Sequence, residues 1–387
     1  MTTHPIQYHS PLFRAIARQP DLDLEVLFCH HASPAEHAAA GFGVEFEWDT
    51  PLLDGFRYRL LRNVARSPSV NRFSGLDTPE ISEILVKGQY DAVLLFGWDY
   101  KSAWQTIRTC WRHKLPVLMR SESHLYTQRP RWKKLLKALP YRFCISRLDA
   151  CLAIGQWSGE YFRHYGARPD RVFIVPHTVD PSFERDSRAL NSRRAQFRSR
   201  WGLGEAETVF LFVGKFIASK RPVDFIRGLR QARERFGSIG GLMVGDGPLR
   251  EPCQRLVEEL HLPIRFTGFL NQSEIVPAYI AADVLVMPSD ARETWGLVVN
   301  EAMSCGRPCL VSDRVGCGPD LVLAGETGFV FPLGDLESLA STMALCASNP
   351  GLLAAMGEKA RALVGCQSVP AAVDSLLHAL SRVVTHA

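Results

Sequence analysis

The run Val284-Leu285-Val286-Met287-Pro288-Ser289 precedes Glu293-Thr294-Trp295-Gly296-Leu297-Val298-Val299-Asn300-Glu301-Ala302, and together they read as strand, loop and helix. A short continuous apolar run bounded by turn residues is the mark of a strand in a parallel sheet covered on both faces. Gly296 lets backbone approach a ligand closely. The helix expected from Leu297 to Met303 opens with free N–H groups, which suit a phosphate. Glu301 stands about one turn inside, where a carboxylate accepts hydrogen bonds from vicinal ribose hydroxyls. Glu293, eight positions earlier, lies ahead of the helix and within reach of sugar hydroxyls. An isolated pair of glutamates reads as a surface acid and a helix-capping acid. Gly296, the strand–loop–helix setting and the turn at Cys305-Gly306-Arg307-Pro308 favour a ligand site instead.

The same rhythm runs outward in both directions. Leu24–Phe28, Ala92–Phe96, Pro116–Met119, Ala150–Ile154 and Phe173–Val175 form a first series of strand-like runs separated by helical patterns. Thr208–Val213, Gly241–Val244, Ile264–Phe266, Val284–Met287, Pro308–Val311 and Phe329–Val330 form a second. The polar, Arg-rich segment from Asp180 to Arg200 interrupts them and marks a domain boundary. The expected fold class is α/β, with two Rossmann-like doubly wound parallel-sheet domains. The first covers 1–180 and the second 181–370, while 371–387 forms a C-terminal helix packing back on the first domain. Ligands of such sheets sit at the carboxyl ends of the strands, so a donor cleft between the domains is expected. The chain opens at Met1-Thr2-Thr3-His4-Pro5, which reads as a loop, and a helix follows at Ser10–Arg18. An α/β domain normally opens on a strand, so the first strand is expected to be missing.

Composition narrows the function. The 387 residues are 46% apolar, and the net charge of +5 reflects 45 basic against 40 acidic residues. That surplus is mild and fits a protein that handles phosphates or touches an anionic membrane. No basic-aromatic motif points to nucleic acid. The ten cysteines are scattered, and Cys305, Cys309 and Cys317 fall across different elements, so they read as small buried residues of a reduced, cytoplasmic protein rather than zinc ligands. No signal peptide and no apolar run long enough to span a bilayer is evident.

At Glu293 to Glu301 the chain resembles glycosyltransferase family 4, whose fold is the GT-B type and whose E-x7-E motif usually has Phe or Tyr where Trp295 stands here. The resemblance covers nearly all of 205–335. It implies that Glu301 holds the nucleotide ribose, that backbone at Trp295, Gly296 and Leu297 meets the diphosphate, and that Glu293 meets the donor sugar. In Val213-Gly214-Lys215-Phe216-Ile217-Ala218-Ser219-Lys220 the family has a basic residue at each lysine position. Lys215 replaces the more usual Arg, keeping the charge and losing the fork. Two such cations on a strand-to-helix loop neutralise a leaving diphosphate. Gly268 and Phe269 match the stretch whose backbone meets the nucleobase. In the first domain, His124, after the strand at Val117, matches a histidine that steadies the donor sugar, with Glu122 as its alternate. Relatives carry adjacent glycines in the loop corresponding to Pro5–His9; this chain has none between Met1 and Gly41, which points that loop, with His9, toward the acceptor.

The resemblance implies a retaining transferase that uses a UDP- or GDP-sugar and a glycan or lipid-linked acceptor, in polysaccharide or glycolipid synthesis. It also implies front-face departure of the diphosphate, since no carboxylate pair suits a double displacement. The one D-x-D, at Asp21–Asp23, lies far from this chemistry, so neither a metal nor another cofactor is expected. The competing readings are a nucleotide-sugar epimerase or a phosphorylase of the same fold, and a non-catalytic nucleotide-sugar-binding partner. Finally, Arg129 to Arg142 holds six basic residues and no acid, with Trp132, Leu135, Leu136 and Leu139 at helical spacing and Lys133, Lys134 and Lys137 off that stripe. This pattern suits either a helix lying on an anionic membrane surface or one packing its stripe on the first sheet.

Overall fold

The computed structural model describes residues 1–127, 131–205 and 207–384; Arg129 and Pro130 of the basic segment lie outside the described residues, as do the side chains at 131 and 133–135. The chain forms two compact units, one made of Met1–Ala32, Pro51–Thr178 and Ser368–Ala387, the other of Ser33–Thr50 and Val179–Gln367.

Unit 1 contains β1 (Glu25–Phe28), β2 (Arg57–Leu60), β3 (Val93–Phe96), β4 (Val117–Ser121), β5 (Ala150–Ala153) and β6 (Val172–Ile174). β1 pairs with β2, and β3 to β6 pair in sequence order, every pair parallel. The opening residues, expected as a loop, act as a strand-like link. Thr2 bridges Phe28, its N–H donating to Leu27 O at 3.0 Å, while Met1 O accepts from Phe96 N at 3.0 Å. Without them the facing backbone groups of β1 and β3 would be buried unpaired. β2 was not legible because Arg57-Tyr58-Arg59-Leu60 is exposed throughout, as suits a charged edge strand. One face of the unit buries Leu12, Phe13 and Ile16 together with Val373 and Leu376 of the C-terminal helix Val369–Val384. The other buries Leu95, Ile107, Met119 and Phe162.

Unit 2 contains β7 (Thr208–Val213), β8 (Ile239–Val244), β9 (Ile264–Gly268), β10 (Val284–Met287), β11 (Cys309–Ser312) and β12 (Gly328–Phe331). Their order is β12-β11-β10-β7-β8-β9, all parallel. The chain therefore winds one way from β7 through β9 and the other way from β10 through β12. The switch point lies between β7 and β10, and loops leaving the carboxyl ends of those two strands flank the natural ligand position of such a sheet.

The units part between Thr178 and Val179, within two residues of the expected boundary, and the Arg-rich segment that follows forms the helices Ser182–Leu190 and Arg194–Arg200 of unit 2. Arg198, 4% exposed, and Arg194 both pair with Asp283 at 2.6 and 2.5 Å, and they bond the carbonyls of Ile280, Ala281 and Ala282. The guanidinium fork here gathers carbonyls at a strand entry. One domain expectation is corrected: residues 33–50, expected within the first domain, group with unit 2. Within the helical stretch Pro350–Val384 an 18-residue window reaches a mean hydropathy of 1.2. It breaks after Cys366, and its two helices bury Leu353, Met356 and Val364 in unit 2 and Val369, Ala372 and Val383 in unit 1.

Candidate functional site

The candidate site in unit 2 is built on the loops at the switch point. After β7 the chain turns at Gly214, whose φ is +156° and whose N–H donates to Val244 O at 3.0 Å. Gly245 N–H in turn donates to Gly268 O at 2.9 Å, and a Cβ on Gly245 would stand 2.0 Å from Gly214 O. Glycines thus allow the carboxyl ends of β7, β8 and β9 to close on one another. Lys215 and Lys220 project from the first of these turns, ahead of the helix Pro222–Arg235.

The loop after β10 carries the other half. Asp290 N–H donates to Ser219 O at 2.8 Å, and Lys220 Nζ forms an ion pair with Glu293 Oε2, so backbone and side chains both join the two loops. The loop's shape is fixed from behind. Gly316 N–H reaches Glu293 O at 3.2 Å and Cys317 N–H reaches Trp295 O at 2.9 Å. A Cβ on Gly316 would lie 1.9 Å from Thr294 O, which leaves no room for any other residue. The Trp295 indole is buried and donates to Asn300 Oδ1 at 2.8 Å, leaving its backbone at the loop tip. Gly296, at φ +105°, caps the helix Leu297–Ser304, where a Cβ would press 3.0 Å from Met287 Sδ. Glu301 stands on that helix, 9% exposed, accepting from Tyr279 Oη at 2.5 Å.

The electrostatics match this construction. Burial pushes the Glu301 carboxyl up to about 7, against the hydrogen bond from Tyr279, which favours the ionised form. Burial and neighbouring Lys220 lower Lys215, while Glu293 works the other way. The site therefore holds two ammonium groups, one ion-paired carboxylate, one carboxyl poised between its two states, and a helix N-terminus whose dipole favours an anion. Gly214, Lys215, Lys220, Gly268, Phe269, Glu293, Trp295, Gly296, Leu297 and Glu301 all lie in unit 2. Sequence reading missed Tyr279, Asn300 and Gly316. Asn300 lies inside the motif at a position that its pattern leaves open, while Tyr279 and Gly316 lie outside it, and a tyrosine in an apolar helix or a glycine in a turn carries no signal without its neighbours.

His124 lies in unit 1, just beyond the carboxyl end of β4. It is buried beside Trp157 and Tyr126, with Nδ1 accepting from Tyr126 N–H at 3.2 Å. A neutral ring so bonded carries its proton on Nε2. Glu122, from the same strand end, bonds His177 Nε2 at 2.8 Å. Burial opposes charge on both; interaction and hydrogen bonding with His177, then His9 and last Arg120, nevertheless hold the Glu122 carboxyl down at about 2, while burial and then Arg120 lower His177 against the pull of Glu122. Arg120 itself reaches Pro176 O at 3.1 Å. His9, 6% exposed, has its ring parallel to that of His177 at 6.5 Å, and among the described residues neither nitrogen of the His9 ring has a hydrogen-bond partner. His177 was not singled out from sequence, although Pro176-His177-Thr178 follows a strand end just as the other site segments do.

Comparison with known proteins agrees with both halves. Residues 193–363 match the family described as Glycosyl transferases group 1, and residues 5–178 match the Glycosyl transferase 4-like domain. The chain is 31% identical over 166 residues to N-acetyl-alpha-D-glucosaminyl L-malate synthase of Bacillus anthracis, covering 43% of each chain. It is 32% identical over 213 residues to D-inositol 3-phosphate glycosyltransferase of Rhodococcus jostii (strain RHA1), covering 52% of this chain and 45% of that one. The chain thus spans a little under half the length of these curated relatives. Among solved structures, a glycosyltransferase from Rickettsia africae ESF-5 superposes with a TM-score of 0.76 at 15% identity, covering 100% of this chain and 98% of the other. Anabaena HepE in complex with UDP does so with a TM-score of 0.73 at 17% identity, covering 98% of each chain. At such identities these two likenesses establish the GT-B fold and nothing finer.

Proposed function

The chain belongs to the group 1 glycosyl transferases, and from that premise we propose that it moves a sugar from a UDP- or GDP-sugar to a hydroxyl of a glycan or lipid-linked acceptor, retaining the anomeric configuration. The observation that carries the reading is the gathering of Lys215, Lys220, Glu293, Gly296 and Glu301 on the two loops that flank the switch point between β7 and β10.

In this reading Glu301 accepts hydrogen bonds from the ribose hydroxyls, backbone at Gly268 and Phe269 meets the nucleobase, and backbone from Trp295 to Leu297 meets the diphosphate. The sugar–oxygen bond to the β-phosphate breaks on the face the acceptor attacks. The negative charge that develops on the diphosphate is stabilised by both lysines and the helix start. A departing phosphate oxygen takes the acceptor's proton, and Glu293 orients sugar hydroxyls. His124 steadies the reacting sugar with its Nε2 proton, while Glu122, His177 and His9 of unit 1 serve acceptor hydroxyls. No step calls for a metal. The test is release of UDP or GDP from a panel of nucleotide sugars in the presence of a lipid extract, with and without EDTA. The reading requires one donor to turn over, EDTA to leave the rate unchanged, and the product to keep the donor's anomeric configuration.

A second part of the proposal is that the protein works on the inner face of a membrane. On the helix Arg131–Ile145, Trp132, Leu136, Leu139 and Phe143 are 59%, 68%, 79% and 54% exposed. A stripe left open in this way supports membrane contact over packing on the sheet. Arg147 stacks on Phe143 at 3.6 Å and also lines a cavity of about 820 Å³ with Lys114, Arg168, Arg171 and Arg382 against Asp149 and Asp170, a cationic excess that suits an anionic headgroup.

A further inference from the structure

Residues 33–50 are read from sequence as part of the first domain, yet they fold with unit 2 and lie across the strand ends that carry the candidate donor site. Ser33 opens the segment with a capping box, its hydroxyl accepting from Glu36 N–H at 3.3 Å and its own N–H donating to Glu36 Oε2 at 2.8 Å. One helical turn, Pro34–His37, widens into the five-residue turn Ala38–Phe42, and Gly41 and Gly43 at φ +96° and +74° end it.

Its contacts fall in order along the sheet. After β7, Lys215 Nζ donates to Ala40 O at 2.8 Å and lies 4.1 Å from the centre of the Phe42 ring. After β8, backbone meets backbone: a Cβ on Gly43 would stand 3.0 Å from Gly247 N, and one on Gly247 would stand 3.2 Å from Gly41 O. After β9, Phe269 meets the Phe46 ring at 4.3 Å and the Phe42 ring at 5.9 Å, while Asn271 Nδ2 donates to Glu47 O at 2.7 Å and Ser273 N–H to Asp49 Oδ2 at 3.1 Å. Trp48 and His37 brace Phe46 at 4.9 and 4.8 Å.

We propose that residues 38–48 form a wall of the donor site, in which the Ala40 carbonyl and the Phe42 ring position Lys215 toward the diphosphate while Phe46 and Phe269 make an aromatic surface for the nucleobase. The inference rests on the reading of unit 2 as the nucleotide-sugar domain. The physical case begins with the residue type at 215. An ammonium on a four-carbon stem lacks the preorganised fork of a guanidinium, so its aim must come from its surroundings. Ala40 O takes one of its three protons and the Phe42 ring faces its charge. Both hold the stem in one rotamer and leave donor capacity for phosphate. The half-buried setting that results agrees with the lowered proton affinity of Lys215, where burial comes first and Lys220 second.

The test is calorimetric titration of UDP and GDP into the full chain, comparing wild type with Phe42→Ala, Phe42→Leu, Phe42→Trp and Phe46→Ala, each also in a Lys215→Ala background, with thermal melts alongside. The expected result is that Phe42→Leu and Phe42→Ala weaken the preferred nucleotide by about 5- to 10-fold, since each loses the ring over the ammonium. Phe42→Trp restores binding, and Phe46→Ala weakens it with or without Lys215. In the Lys215→Ala background Phe42→Leu adds little further loss, which a merely structural role for the ring does not predict. Phe42→Leu keeps the apolar bulk, so the test survives if Phe42→Ala folds poorly. Tighter binding by the Phe42 or Phe46 variants would overturn the proposal by making the segment a plug, and equal, additive losses in both backgrounds would overturn the positioning of Lys215. Wild type that binds neither nucleotide would defeat the donor reading itself, a distinct outcome from wild-type binding unaffected by the wall.

Discussion

Tyr279 Oη donates to Glu301 Oε2 at 2.5 Å inside unit 2, and this bond links the second glutamate of the motif to a buried helix that the motif does not include. Burial raises the Glu301 carboxyl from 4.5 to about 7, so near neutrality it exchanges its proton readily.

The sign of the consequence for stability is set by that shift. Below pH 4.5 the carboxyl is protonated in both folded and unfolded chains. Between 4.5 and about 7 the unfolded chain releases its proton first, so stability falls as pH rises, and above 7 the full loss is present. The shift corresponds to about 3 kcal/mol. Glu301→Gln is therefore expected to be more stable than wild type at pH 8 by up to about 3 kcal/mol, with the difference closing toward pH 4.5. Denaturant titrations at the two pH values check this. A variant that is less stable at pH 8 than at pH 4.5, relative to wild type, contradicts it.

The ion pair between Lys220 and Glu293 joins the two loops at the switch point, with side chains 23% and 13% exposed. Lys220→Ala removes one donor to the developing phosphate charge and is expected to lower kcat by about 10²- to 10³-fold. Because the two side chains act as a pair, the Lys220→Ala/Glu293→Gln double variant is expected to lose much less than the product of the single losses. Steady-state kinetics on the four proteins measures this coupling, and strictly multiplicative losses argue against it.

How much of this was legible can be read from particular positions. Every run in the two strand series became a strand, because continuous apolar segments between helices leave few alternatives in a parallel sheet. Glu293 and Gly296 read as candidates because they share one contiguous motif, and Lys220 because it shares a second contiguous run with Lys215. Tyr279 and Gly316 were not, since their roles come from contact with residues 22 and 22 positions away, Glu301 and Thr294 respectively. The role of Arg198 was not legible, because it arises only when Asp283 and the carbonyls of Gly204, Glu205, Glu207 and Ala281 are brought around it. Residues 33–50 were assigned to the wrong unit because nothing in Phe42, Phe46 or Trp48 says which sheet they meet.

The backing of the donor loop gives a sharper test of the site's construction. Gly316→Ala places a methyl 1.9 Å from Thr294 O, so the loop must move. The expected loss is about 2–4 kcal/mol of stability together with loss of nucleotide binding. Gly351, with nothing within 4 Å of its Cβ position near a helix start, is the control, and Gly351→Ala is expected to be neutral or mildly stabilising. Equal effects at the two glycines remove the argument for a rigid loop.

Membrane contact is checked by sedimentation with phosphatidylcholine vesicles with and without phosphatidylserine. Wild type is expected to sediment with the anionic vesicles, less so at high salt. Leu136→Ser/Leu139→Ser withdraws two of the most exposed apolar side chains, worth about 2 kcal/mol each when buried in lipid, and is expected to abolish sedimentation while leaving nucleotide binding intact. Wild type that stays in solution with both vesicle types counts against the membrane reading.

The central claim is that unit 2 holds a nucleotide-sugar donor through Glu301 and activates its departure. The most direct measurement is release of UDP or GDP from a panel of nucleotide sugars by wild type and Glu301→Ala, with EDTA and a lipid extract present. The account predicts release from one donor by wild type, undiminished by EDTA, and its collapse in the variant. Equal release by the two proteins, or turnover that EDTA abolishes, would contradict it.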